Sequence, residues 1–257
     1  LGLCVFFVQE RPPEYYVHPH RSIWAGLAIV ARNPAFLRML GCVLLFVSGV
    51  AVQGTLHRLV LADVMLDEGR FSLMILLENV GTLVAVPAWL ALSVRLGKHR
   101  ALMGAALWLA VWSLPLVFLR EGDANLLTAI IVIRGSSFAS ILFIANSIAA
   151  DVIDVDTLES GEQRSGLFFA VWGMAIKLAL ALGVVLATVL PSLAGYLPSE
   201  VAIPLQIQGR LMLIYGALPA LLMALGALFL FRFPITKARH DEVRYKLDAL
   251  AKQSRSE

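Results

Sequence analysis

The chain has 257 residues, 59 % of them hydrophobic and 15 % charged, with a mean hydropathy of +0.81 and a net charge of +3. A soluble domain carries about a quarter charged residues, so the composition excludes an ordinary soluble fold. Cys4 and Cys42 lie in apolar or membrane-proximal sequence, the five histidines are scattered, and CxxC and HExxH motifs are absent. A disulfide framework, a metal site, a resident cofactor and a nucleic-acid partner are therefore not expected.

In chain order, residues 1–8 read as the end of a preceding transmembrane helix. The chain starts Leu1-Gly2-Leu3 rather than Met, and an N-terminal portion is expected before it. Residues 9–34 read as a cytoplasmic middle loop broken by Pro12, Pro13 and Pro19, with a short interfacial helix over 20–33 ended at Asn33-Pro34. Residues 35–233 form the expected six-helix bundle, with spans near 35–62, 71–96, 101–119, 124–149, 166–195 and 209–231. Each is long enough to cross about 30 Å of hydrocarbon. They are too long for barrel strands and lack apolar/polar alternation. Residues 234–257 form a polar, basic tail with an amphipathic stretch around Val243, Leu247 and Leu250, expected to lie on the cytoplasmic leaflet. The fold class is all-α, a polytopic membrane protein.

Fifteen of the 21 Lys and Arg residues fall on one side of these spans, four on the other, and Arg134 and Lys177 lie within spans. That asymmetry predicts an inner-membrane protein with both ends of this segment and the 150–165 loop in the cytoplasm.

Charges inside the spans are the candidate working parts. Glu78 lies roughly 10 Å, Arg134 roughly 15 Å and Lys177 roughly 16 Å from the nearer span end, at about 1.5 Å per residue. A charged side chain at the bilayer centre costs about 2.5–3.5 kcal/mol on insertion scales, so each needs a partner or a wet cavity. Glu78 and Arg134 are close enough in depth to pair, either as a structural tie or as part of substrate coupling. Lys177 is alone in the uncharged run 166–196. Spans one, two, four and five are expected to line a cavity, and the uncharged third and sixth to be peripheral. Gln53, His57 and Arg58 lie toward the outer end of the first span, where a solvated helix end explains them, although Gln53 is also a candidate substrate contact. Asn79 can contact substrate or hydrogen-bond a neighbouring helix. Trp172, one turn before Lys177, is a candidate sugar-stacking platform or a packing residue. The glycine and serines of Arg134-Gly135-Ser136-Ser137, with Gly173 and Gly183, allow close helix approach.

The run Ala150-Asp151-Val152-Ile153-Asp154, with Gly161, Arg164, Gly166-Leu167-Phe168-Phe169, Lys177 and Ala194-Gly195-Tyr196, resembles the glycoside–pentoside–hexuronide:cation symporter family, the melibiose-permease branch of the major facilitator superfamily. Arg32-Asn33-Pro34-Ala35-Phe36, Arg95-Leu96-Gly97-Lys98-His99-Arg100 and Phe233-Pro234-Ile235-Thr236 are similar to its segments at other helix junctions. The resemblance implies the C-terminal half of a twelve-helix transporter, whose partners are a small-molecule substrate, the lipid bilayer and an N-terminal six-helix half. It implies symport of a sugar with H⁺ or Na⁺ by alternating access. It places Lys177 near the sugar and cation sites, and Asp151, Asp154 and Arg164 at a cytoplasmic gate. Val155, Ser165, Leu142, Trp172 and Gly173 depart from the family pattern, and Glu78 and Arg134 have no counterpart in it. Two other readings stay open: a carrier of lipid or another amphiphile, and a non-transporting membrane sensor. No nucleophile–base pair or nucleotide loop is present, so an enzyme is not expected.

Overall fold

Asn33-Pro34 starts the bundle. The Asn33 side chain accepts a hydrogen bond from the Phe36 amide at 3.0 Å, and Pro34 occupies the first helical turn. The capping oxygen satisfies one of the free amides of a helix start, and the proline has none to leave unpaired. The computed structural model describes residues 23–162, 164–197, 203–234, 242–243 and 245–246. Among them the elements are all helical. The stub at 1–8, most of the middle loop and most of the tail lie outside the described residues.

A short helix α1 (Ile23–Ala31) leads to α2 (Pro34–Leu59), which runs on through a π turn, Val60–Val64. Then follow α3 (Phe71–Leu96), α4 (Lys98–Ser113), α5 (Ala124–Gly135), α6 (Phe138–Ser160) and α7 (Ser165–Leu193). The last span is α8 (Leu205–Met212), a π turn at Leu213–Ala217, and α9 (Leu218–Phe229). Together they give six helices or helix pairs long and apolar enough to cross a membrane. Gly97 turns the chain between α3 and α4 at φ +91°, and Gly161 closes α6 at φ +67°. Both lie in the left-handed region that glycine enters without a Cβ clash.

Two boundaries differ from expectation in ways that matter. The fourth span runs from Ala124 to Ser160 and is interrupted: α5 stops at Gly135 and α6 begins at Phe138. Residues 150–160 are therefore helix, not loop. Their mixed charges are those of a helix projecting past the apolar layer, which a hydropathy reading truncates at the first aspartate. The interruption is a Gly-Ser-Ser sequence, a frequent cause of helix breaks.

α2 is the hub, packing chiefly on α7 and α9, while α9 packs on α4, α3 on α5, and α4 on α6. Small residues set the closest approach. A Cβ on Gly183 of α7 would lie 2.4 Å from Ala51 Cβ and 2.6 Å from the Ser48 carbonyl oxygen, so that contact admits only glycine. Beside it the Ser48 hydroxyl donates to the Ala179 carbonyl at 3.0 Å. Gly173 has open space around it and plays no such part. One apolar cluster gathers Phe36, Met39, Phe46, Leu102, Phe168 and Met223, and a second gathers Leu56, Leu61, Met74, Leu127 and Tyr215.

Burial is uneven. Of the apolar stretches, 61 % of the first span and 56 % of the fourth are buried, but only 11 % of the second and 17 % of the fifth. The faces of α3 and α7 thus stay open, and that is where a cavity wall would be. The third and sixth spans are 44 % and 50 % buried. The sixth is not simply peripheral, because it sends a side chain into the polar cluster described next.

Candidate functional site

Glu78 and Arg134 meet. Arg134 Nη2 donates to Glu78 Oε1 at 3.0 Å, joining α3 to α5, with the two side chains 17 % and 4 % exposed. Gly135 makes the room: a Cβ there would fall 2.6 Å from Glu78 Cγ. The helix break opens the Gly135 carbonyl, and the Thr82 hydroxyl of α3 donates to it at 2.7 Å. Ser137 donates to the Ala105 carbonyl at 3.2 Å, tying the break to α4. Glycine and hydroxyls that look like generic helix-packing residues in sequence therefore build the seat of this pair.

The pair does not stand alone. His57 Nε2 lies 4.0 Å from Glu78 Oε2, and His57 Nδ1 lies 2.6 Å from the Tyr215 hydroxyl. Gln53 Nε2 donates to the Tyr215 carbonyl at 3.2 Å. Gln53 and His57 are 0 % and 3 % exposed, so the solvated helix end expected for them is corrected. Their span continues beyond His57 through Val64, which keeps both inside the bundle. Only Arg58 fits the solvated reading: it is exposed and pairs with Glu68. The cluster takes one or more side chains from each of the first, second, fourth and sixth spans. Tyr215 is not legible as a site residue in sequence, since a tyrosine in an apolar helix is ordinary; the π turn that aims it carries no sequence signature. His57 gives a usable signal, an imidazole inside a long apolar run.

Three polar atoms here lack a hydrogen-bond partner among the described residues: Arg134 Nε, Arg134 Nη1 and Gln53 Oε1. Buried polar groups are paired in the great majority of cases, and a structural tie that leaves donors of a buried guanidinium unused is incomplete. The arrangement can hold positive charge on either side of one carboxylate.

Lys177 is elsewhere. It is exposed on α7, and among the described residues it makes no ion pair or hydrogen bond. Met174, Leu178, Ala181 and Val185 share its face at helical spacing and are also exposed. Trp172 is 4 % exposed; its indole Nε1 donates to Asn146 at 2.8 Å and its ring sits 6.2 Å from that of Phe36. The tryptophan is thus a packing residue here, with no open ring face for a sugar. Asn79 is exposed on α3 and donates to the Ile75 carbonyl of its own helix at 2.8 Å.

The predicted gate residues separate into two contacts. Lys98 Nζ donates to both Asp151 carboxylate oxygens at 2.7 Å, clamping α6 to the start of α4. Arg164 donates to Glu162 at 2.9 Å and lies 3.8 Å from Asp156. Asp154 is half-buried on α6 between them in sequence. Arg164, Asp156 and Glu159 line a cavity of about 540 Å³ together with Arg32 and Asn33. At the opposite end the Tyr196 hydroxyl donates to Asp63, joining the exit of α7 to the first span. Burial and the Asp63 carboxylate hold that hydroxyl up at about 12, so it stays a donor. No cluster of three or more candidate metal ligands occurs among the described residues.

Several transporters are similar to the chain. An uncharacterized symporter of Synechocystis sp. is 30 % identical over 250 residues, covering 93 % of this chain and 45 % of that protein. The sodium-dependent lysophosphatidylcholine symporter 1 of Xenopus tropicalis is 23 % identical over 91 % of this chain and 45 % of its own length. The sphingosine-1-phosphate transporter of the same organism is 24 % identical over 99 % and 50 %. The chain spans about half the length of the curated relatives it matches. Residues 3–237 match the family described as MFS/sugar transport protein. The chain belongs to that family, within the major facilitator superfamily, and is a multi-pass membrane protein.

Proposed function

We propose that this chain is the C-terminal half of a cation-coupled symporter whose substrate is an anionic amphiphile, a long apolar tail with a phosphate- or carboxylate-bearing head. One observation carries the substrate class: Lys177 stands without a partner among the described residues, on an open face otherwise made of Met174, Leu178, Ala181 and Val185. A sugar has no apolar tail and is held by many converging hydrogen bonds, whereas an amphiphile needs an apolar wall with one or two polar anchors. The open face of α7 offers few polar groups. Its Thr188 and Ser192 hydroxyls donate to carbonyls of their own helix. A lone ammonium near mid-membrane is tolerated when it faces a wet cavity or meets an opposite charge, and the head group supplies that charge.

Two matched relatives are named for lysophosphatidylcholine and sphingosine-1-phosphate, which supports the same class. The family description favours the second reading, sugar symport. The closed environment of Trp172 weighs against it. With the ends in the cytoplasm, as the Lys/Arg asymmetry favours, the Asp151–Lys98 and Arg164–Asp156 contacts serve the cytoplasmic gate. Ion pairs of this kind can break and re-form between two states a few kcal/mol apart.

The test is uptake into vesicles holding the full-length protein, with a panel of labelled lysophospholipids, sphingoid phosphates, glycosides and hexuronides, under imposed H⁺ and Na⁺ gradients. Gradient-driven accumulation of an anionic amphiphile that is lost in Lys177→Ala supports the proposal. Accumulation of a glycoside alone replaces it with the sugar reading.

A further inference from the structure

We propose that the buried cluster of His57, Glu78, Arg134 and Tyr215 is a proton-binding site in which one proton on His57 moves Glu78 from Arg134 toward His57. Only the transport arm of its test rests on the symporter reading above.

The geometry carries the inference. A single carboxylate has a guanidinium 3.0 Å from one oxygen and an imidazole 4.0 Å from the other. The two basic groups come from different spans, the fourth and the first. In the neutral tautomer whose Nε2–H faces the Glu78 carboxylate, Nδ1 accepts from the Tyr215 hydroxyl. A proton arriving at Nδ1 makes an imidazolium in which both nitrogens donate. The Tyr215 oxygen turns from donor to acceptor, no covalent bond other than the new N–H forms, and the cluster gains one positive charge. In a low-dielectric interior that added charge acts strongly on a carboxylate a few ångströms away. Glu78 then has two cations to satisfy instead of one. Its hold on Arg134 slackens, and its hold on the first span tightens.

Three further features fit a site rather than a fixed tie. Arg134 keeps two nitrogens unpaired among the described residues, so it does not depend on Glu78 geometry to close a network. Tyr215 is placed by a π turn, and such turns are frequent at functional positions. The carboxylate and guanidinium sit directly at the interruption between α5 and α6, where a helix has a place to move.

Other charged groups on the packed elements are engaged elsewhere or distant: Arg210 donates to the Ala194 carbonyl, Arg70 to Asp67, and Arg38 to the Arg232 carbonyl, while Arg95 lies about 25 Å along α3 from Glu78. Arg58 turns outward to Glu68, and Asp63 is taken by Tyr196. The Ser113 end of α4 abuts Gly216 beside Tyr215, so Lys98 at the other end of α4, with its partner Asp151 of α6, lies about 22 Å away along that helix. Lys177 of α7 is on an exposed face.

The experiment is pH-difference infrared spectroscopy on the full-length protein reconstituted in phosphatidylcholine vesicles. The expected result is an imidazole protonation signal accompanied by a carboxylate change. Both disappear in His57→Gln; the carboxylate change alone disappears in Glu78→Gln. Tyr215→Phe shifts the pH at which the signal appears. His57→Gln and Tyr215→Phe leave the Glu78–Arg134 bond in place, so they carry the test if Glu78→Gln does not assemble. Spectra without a protonation signal, or with one unchanged in His57→Gln, overturn the proposal. In parallel, an imposed proton gradient is expected to stimulate uptake of labelled lysophospholipid, with the stimulation lost in His57→Gln. Gradient-insensitive uptake while His57 titrates overturns the coupling role. A wild-type protein that takes up none of the probe overturns the proposed function instead, and the infrared result still decides the proton site.

Discussion

The three charges set deep in the spans live under opposite conditions. Glu78 and Arg134 are paired at the junction of four spans, the arginine buried and the glutamate half-buried, whereas Lys177 is exposed on a face of α7 with apolar neighbours. The first arrangement satisfies charge internally; the second leaves it to whatever enters. Depth in the membrane thus says that a charge must be neutralised and says nothing about who does it. The partner is decided by which helix face the residue occupies and by whether a small residue, here Gly135, lets another helix come close enough.

The largest effect that would break this comparison is loss of one member of the buried pair. Arg134→Met leaves Glu78 without its cation, and removing one partner of a buried ion pair typically costs about 3–5 kcal/mol. The full-length protein should unfold at markedly lower temperature in detergent, and Glu78→Gln combined with Arg134→Met should recover most of the loss. If the double variant is no better than the single, the pair is not a unit. Next, Gly183→Ala and Gly135→Ala insert a Cβ where there is 2.4–2.6 Å to the nearest atom. Overpacking of this kind costs about 1–3 kcal/mol, whereas Gly173→Ala, in open space, should be neutral in the same melting assay. Lys177→Ala should fall at the bottom of the stability scale, within about 0.5 kcal/mol of the parent, and at the top of the transport scale, with loss of concentrative uptake. A variant that melts normally and still accumulates substrate would remove Lys177 from the site. Arg58→Ala breaks an ion pair between two exposed side chains and should change stability by less than about 1 kcal/mol while leaving uptake unchanged.

Much of the architecture is legible in the sequence because the bilayer imposes a length on every span. Six apolar blocks separated by prolines, glycines and charge runs are, among the described residues, six helical spans, and span starts such as Pro34, Phe71 and Ala124 agree to within a residue with the sequence reading. The fourth span is where that reading fails. Hydropathy ends it at Ala149 because Asp151 and Asp154 read as loop, yet a helix projecting beyond the apolar layer needs no hydrophobicity to continue. That Glu78 and Arg134 can reach one another follows from their similar depth, while their pairing rests on α3 and α5 being neighbours. The roles of Gln53, His57 and Tyr215 do not follow from depth, because hydropathy locates a residue along a span and gives no information about rotation around it. Rotation also separates Trp172 from Lys177. Five residues separate it from Lys177, a rotation of about 500°, which is about 140° beyond one full turn. The indole therefore lies on the packed side of α7, beside Asn146.

The interruption at Ser136 and Ser137 makes the fourth span two rods, of 12 and 23 residues, joined end to end. The longer rod is pinned just past its middle by Lys98 on Asp151, and the shorter is pinned beside the joint by Glu78 on Arg134. A continuous helix over the same 37 residues would carry any tilt at one membrane face straight through to the other. A jointed one allows the short rod to swing while the long rod keeps its fastening. In the carrier proposed above, doors at the two faces of the membrane can then be worked by separate latches, so that it never stands open on both sides at once.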